Sequence, residues 1–173
     1  KNIDHHNLFF HSDVDKHSAQ IHVKPEWPTD PLFYVCCPSK TDDSVAPEGS
    51  ENLFFLIPIA SGLEDTEKQR QYYFDLVIEK FEYITNQNIK DNIVYKKSYC
   101  INDFKDDYNA YKGNAYGLAN TLTQTANLKP KIKSKKVNNL FFCGQLTVPG
   151  PGVPPSIISG EISANELLKQ LEL

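Results

Sequence analysis

Between residues 144 and 161 the chain reads GQLTVPGPGVPPSIISGE, with four glycines and four prolines in 18 positions. Proline fixes φ and removes an amide donor, and glycine resists commitment to any one conformation. No strand or helix can run unbroken through such a segment, so the chain must turn there. The apolar run before it, VNNLFFCG (137–144), reads as a strand. After it, Ile157, Gly160, Ala164, Leu168 and Leu171 recur at helical spacing and predict a terminal amphipathic helix. The constraint is therefore a strand, a glycine, a stiffened turn and a helix, in that order.

That order suits a ligand. A helix N-terminus exposes unpaired amides and partial positive charge, and glycines let the backbone come close. Pro154 or Pro155 fits the first helical turn, where no amide is missed. Gly160, one turn further, would let the helix pack tightly on a sheet. The favoured ligand is an anion or an electron-rich ring edge, such as a flavin near N1 and O2. On the pattern alone, a proline-stiffened loop feeding an ordinary helix explains the segment equally well. The usual dinucleotide fingerprint is absent: Gly150 and Gly152 make G-x-G, but Pro155 stands where the third glycine belongs.

The other segments predict a mixed chain. HHNLFFH (5–11), LFYVCC (32–37) and LFFLIPIA (53–60) read as strands, the last two pairing antiparallel across the polar loop 38–52. Residues 13–24 are ambiguous, with helix plausible, and EWPTDP (26–31) is a turn. A helix is predicted over 66–85, with Phe74, Val77, Ile78, Phe81 and Ile84 on one face and a capping box at Thr66 and Gln69. NIVYKKSYC (92–100) reads as a strand, and 102–125 shows no clean period.

Net charge is −4, which argues against a nucleic-acid partner, and no apolar run is long enough to span a bilayer. Cysteines at 36, 37, 100 and 143 form no Cys-x-x-Cys and read as reduced, buried thiols of a cytoplasmic protein. The sequence has no methionine, even at position 1, which suggests part of a longer polypeptide.

NLFFCGQLTVPGPGVPPSIISGE resembles the C-terminal FAD motif of the bacterial-type phytoene desaturase family, the flavin-dependent carotenoid desaturases. HHNLFF, LFYVCCPSKTDDSVAPEGSENLFFLIP, DFKDDYNAYKGNAYGL and LTQTANLKP resemble family segments in the family's order, so the resemblance covers nearly the whole chain. It implies an α/β fold, α+β in the front part. Residues 1–120 would belong to a substrate-binding domain with a mixed or antiparallel sheet and helices. Residues 121–173 would supply the closing strand and helix of a Rossmann-type FAD-binding domain. The family carries G-x-G-x-x-G near its N-terminus and this sequence does not, so the chain corresponds to roughly the last third of a member. The rest of the enzyme is then a required partner.

Carried over by position, Gly144 and Gln145 would lie beside the ribityl and pyrophosphate part of FAD. Gly152, Val153 and Pro154 would approach the pyrimidine side of the isoalloxazine, with Thr147 between the two groups. Many members have Ala-Gly after the first motif glycine; Gln145 and Leu146 stand here instead, which changes the side chains presented. The implied reaction is desaturation of an apolar polyene precursor, phytoene above all, by hydride transfer to flavin and loss of a proton from the neighbouring carbon. Such a substrate offers no charge to grip, so positioning and desolvation dominate and no catalytic triad is expected. A hydroxycarotenoid desaturase, a carotenoid isomerase or a non-catalytic lipid-binding derivative shares these features. The resemblance also implies peripheral association with the inner face of a membrane.

Further candidates carry less. All five histidines lie in the first 22 residues. In a strand over 5–11, His5 and His6 would point to opposite faces and His5 and His11 would lie about 20 Å apart, so no metal site is expected. KPKIKSKK (129–136) reads as a solvated lysine loop or a contact for anionic lipid. Asp42–Asp43 and Asp106–Asp107 read as hydrated carboxylates. Tyr108, Tyr111 and Tyr116 read as packing residues or as the lining of a polyene channel.

Overall fold

The computed structural model describes residues 3–119 and 121–171. The chain divides into two compact units, Lys1–Gly113 and Asn114–Leu173.

The first unit is built on a three-stranded antiparallel sheet in the order β1 (His6–Phe9), β2 (Phe33–Cys36), β3 (Phe54–Leu56). His6 faces Cys36 and Phe9 faces Phe33 across the first pair, and Val35 faces Phe55 across the second. Because successive side chains alternate, Phe9, Phe33, Val35 and Phe55 turn to one face. Leu8, Tyr34, Cys36 and Phe54 turn to the other, where Leu8 and Phe54 are exposed. The inner face packs on α2 (Glu67–Thr85) through Val77 and Phe81. Phe9 stacks on Phe33 with ring centroids 4.7 Å apart, and Phe81 meets Phe9 at 5.7 Å and Phe55 edge-on at 5.3 Å. Each such ring contributes about 1.5–3 kcal/mol by leaving water.

Helix α2 starts where the sequence predicts, with the Thr66 half of the expected capping box in place: its hydroxyl accepts from the Gln69 amide. Its buried stripe is rotated from the expected one, running through Tyr73, Val77, Ile78, Phe81 and Thr85. Phe74 lies outside it with the Lys96 ammonium 4.2 Å from its ring centroid, and Ile84 is exposed. Tyr73 takes the inner place because its hydroxyl reaches the Pro28 carbonyl at 2.6 Å and its ring stacks on Trp27. Helix α1 (Val14–His22) realises the helical reading of 13–24, capped by Asp13, which accepts from the Lys16 amide. Its buried His17 takes the Leu32 amide on Nδ1, so Nε2 carries the hydrogen and donates to the Pro58 carbonyl.

The predicted strand over 92–100 does not form. Residues 93–100 belong to no strand, and Val94 and Tyr95 are exposed. Extended backbone becomes a strand only where a neighbour takes its amides and carbonyls. The aperiodic segment after it contains α3 (Ile101–Tyr108), where Asp103 accepts from the Cys100 amide. An ionic joint ties α3 to the start of α2: Arg70 holds Asp65 through Nε and Nη2, both at 2.7 Å, and reaches Asp103 at 2.7 Å. The Asn102 amide also donates to the fully covered Asp65 carboxylate.

The second unit holds α4 (Val153–Gln170) and little other regular structure. Among its described residues the expected strand over 137–144 shrinks to one bridge, Lys133 with Phe141, and no Rossmann-type sheet is seen. The close helix–sheet packing expected at Gly160 is likewise not observed, since a Cβ there would meet nothing within 4 Å. Helix α4 buries only Ser159 and leaves Ile157, Ile158 and Leu168 exposed, as is Leu171 just after it.

Candidate functional site

The turn between the Phe141 bridge and α4 is held by two polar side chains. Ser159, fully buried on α4, accepts the Gly144 amide at 2.7 Å and donates to the Ser156 carbonyl at 2.7 Å. One hydroxyl thus fixes the loop's first glycine to the first turns of the helix. Thr147 closes the next corner, its amide reaching the Gly144 carbonyl at 3.1 Å and its hydroxyl the same oxygen at 3.0 Å. Thr147 is 2% exposed and sits inside the turn, while Gly144 and Gln145 are half-buried.

The second half of the turn leads into the helix. Gly152 is its N-cap at φ +117°, a conformation that L side chains rarely adopt, and a Cβ there would lie 3.3 Å from Pro155 Cδ. The Gly152 carbonyl accepts from the Ser156 amide at 3.0 Å. Pro154 and Pro155 carry no amide hydrogen, so the first turn of α4 offers the Val153 amide in place of the usual set of donors. Gly152, Val153 and Pro154 are all exposed. The feature is therefore an exposed edge whose first helical turn carries one amide, that of Val153. It suits a single acceptor atom on a flat group better than a phosphate, which wants several donors at once.

Of the six residues the sequence points to, Gly152, Val153 and Pro154 form one exposed edge. Gly144, Gln145 and Thr147 form a separate, more enclosed corner braced by Ser159. Ser159 is the residue the sequence reading missed. It lies off the apolar face that Ile157, Gly160 and Ala164 mark out, so the linear pattern gives no sign of its burial. Gly117 was missed as well: a Cβ there would come within 2.6 Å of Leu146 Cδ2, so the 114–117 loop lies directly on the turn.

The remaining candidates resolve individually. Lys129 of the lysine loop is buried, with its Cε packed 3.2 Å from where a Cβ of Gly150 would stand, so the loop is not solvated throughout. Asp42 accepts from the Ser44 amide and hydroxyl and caps a short turn. Asp107 accepts from the Tyr99 hydroxyl at 2.6 Å, which raises the Tyr99 pKa. Tyr108, Tyr111 and Tyr116 are exposed. All four cysteines are free, but only Cys37 is buried and Cys143 is exposed, against the expectation of buried thiols. His5 and His6 do not point apart. The chain bends at His5, just before β1, and the two rings lie 4.2 Å apart. Among the described residues no helix is long and apolar enough to cross a membrane.

No family model matches the chain. Individual relatives do. The chain is 47% identical over 169 residues, 98% of its length, to a carotenoid 3,4-desaturase of Haloarcula japonica. It is 32% identical, over 96% of its length, to the 4,4'-diapophytoene desaturase (4,4'-diaponeurosporene-forming) of Staphylococcus aureus. The chain belongs to the carotenoid desaturases. It spans about a third of the length of these curated relatives, 34% in each case. In this carotenoid-desaturase chain the alignment runs through both units.

Proposed function

We propose that the polypeptide carrying this chain desaturates a carotenoid polyene with FAD as the hydride acceptor. The 47% identity to a carotenoid 3,4-desaturase across 98% of the chain carries the reading. Carotenoid desaturases of this family are generally flavoproteins. The exposed edge at Gly152, Val153 and Pro154 fits the pyrimidine side of a flavin, because it offers a flat approach and one amide. When bound, the flavin supplies the two-electron acceptor for the hydride that leaves the polyene carbon. The Val153 amide would donate to a ring acceptor atom and favour negative charge there, helped by the positive end of α4. Gly144 and Gln145, braced by Ser159, would flank the ribityl and pyrophosphate part, with Thr147 holding the corner between. In this reading residues 1–120 contribute to the substrate domain and 121–173 to a Rossmann-type FAD domain completed by the rest of the enzyme. The uncovered apolar residues Ile157, Ile158 and Leu168 of α4 are consistent with that partner. Leu8 and Phe54 on the outer face of the sheet offer apolar contact to a polyene. The whole enzyme would work in the cytoplasm, peripherally attached to the membrane that holds its substrate.

Phytoene is the substrate the family resemblance implies. The higher identity to a 3,4-desaturase, 47% against 32%, favours a second reading in which the 3,4 bond of a more complete carotenoid is desaturated. Full-length protein supplied separately with phytoene and with a 3,4-saturated carotenoid, followed by product chromatography, decides between them. The protein is expected to purify yellow. Colourless protein that converts neither substrate overturns the proposal. Gly152→Val in the same protein is expected to abolish visible flavin absorbance while far-UV circular dichroism is unchanged. A variant with normal flavin absorbance refutes the assigned contact.

A further inference from the structure

Within the first unit, the outer face of the sheet gathers three metal-ligating side chains. His6 and Cys36 are directly paired across β1 and β2, so their side chains leave the same face side by side. His5 joins them because the bend before β1 breaks the alternation, while its carbonyl still accepts the Cys37 amide at 2.8 Å. One ligating atom from each of His5, His6 and Cys36 lies within 4.8 Å of the others. A tetrahedral ion with bonds of ~2.0–2.3 Å holds its ligands about 3.5 Å apart. Small rotamer changes of half-buried His5 and Cys36 and of exposed His6 therefore close the set.

The surroundings match such a set. Thr41 Oγ1 lies 2.6 Å from His5 Nδ1, and the Tyr34 hydroxyl lies 2.5 Å from His6 Nδ1. The Thr41 hydroxyl donates to the Pro38 carbonyl, which leaves its oxygen free to accept from the His5 ring. With Nδ1 engaged in this way, Nε2 is the nitrogen whose lone pair a metal would take. Metal-bound histidines are oriented by such partners on their second nitrogen.

We propose that His5, His6 and Cys36 form a binding site for a borderline divalent transition metal, Zn(II) in type, with water as the fourth ligand. On binding, the Cys36 S–H bond breaks, its proton goes to solvent, and the Sγ–metal bond forms with no change in oxidation state. Two imidazoles and one thiolate suit zinc, whereas calcium and magnesium prefer all-oxygen sets. The ion would join the entry of β1 to the end of β2.

The test is Co(II) titration of the full-length polypeptide, followed by competition with Zn(II). Wild-type protein is expected to bind one equivalent with a thiolate-to-cobalt charge-transfer band that Zn(II) abolishes. Cys36→Ser should lose the band and Cys143→Ser should keep it. His6→Gln, at an exposed position, should weaken cobalt binding by at least about tenfold. Absence of the band in wild-type protein, its survival in Cys36→Ser, or unchanged affinity in His6→Gln overturns the proposal. Circular dichroism of each variant separates loss of ligand from loss of fold.

Discussion

Single residues set the tightest constraints in the first unit. Tyr73 is 6% exposed and its pKa is pushed up to about 12, chiefly by burial. Its hydroxyl is the donor to the Pro28 carbonyl, which connects α2 to the turn before β2. Tyr73→Phe keeps the ring and deletes the donor, stranding that carbonyl. A loss of about 1–3 kcal/mol in urea unfolding is expected; an unchanged midpoint would show that water replaces the bond. Gly113 is constrained more strictly, since a Cβ there would lie 2.3 Å from the Ile101 carbonyl oxygen. Nothing in the sequence around Gly113 announces that contact, because the atom it avoids is 12 residues away in the chain.

At the scale of elements, helix α2 was the most legible and still carried an error. Its start, its end and three of its five core positions follow from capping and the 3.6-residue period. Two positions differ because a stripe of apolar residues leaves a turn of freedom. Packing on the sheet and the Tyr73 hydrogen bond removed it. Phe81 lies at the centre of that packing, against Phe9 and Phe55. Phe81→Ala is expected to cost about 3–5 kcal/mol, lowering the melting temperature of the first unit sharply. A loss below 1 kcal/mol would mean that the sheet is not held by this helix. Strands were less legible. The runs at 5–11, 32–37 and 53–60 all became strands, each shorter than its apolar run, whereas 92–100 and 137–144 did not. The difference lies in partners rather than in composition, since all five runs are rich in aromatic and β-branched residues.

For the whole molecule, acidity is the informative variable. The Arg70 guanidinium and the Asn102 amide hold the Asp65 carboxyl below its usual range. Lys40 and Ser39 hold Glu51 at about 2. Both groups are depressed in the folded state, so the stability they contribute is complete above their unfolded values, near pH 4, and is lost as pH falls through the lowered folded values. Urea midpoints should therefore fall steeply below about pH 4.5, and Asp65→Asn should flatten that dependence. Equal slopes for the two proteins would show that the Asp65–Arg70 joint is not coupled to unfolding. The sequence alone determined the family, the three front strands, the helices at 66–85 and at the end, and the turn between 144 and 161. These rest on local period, turn chemistry and motif order, which short stretches of chain carry by themselves. Tertiary structure decided which apolar runs found a sheet partner, which face of α2 was buried, and that Ser159 braces the turn. It also brought His5 and His6 beside Cys36. Each of these depends on groups far apart in the chain, and a linear pattern holds no record of which distant atom will arrive.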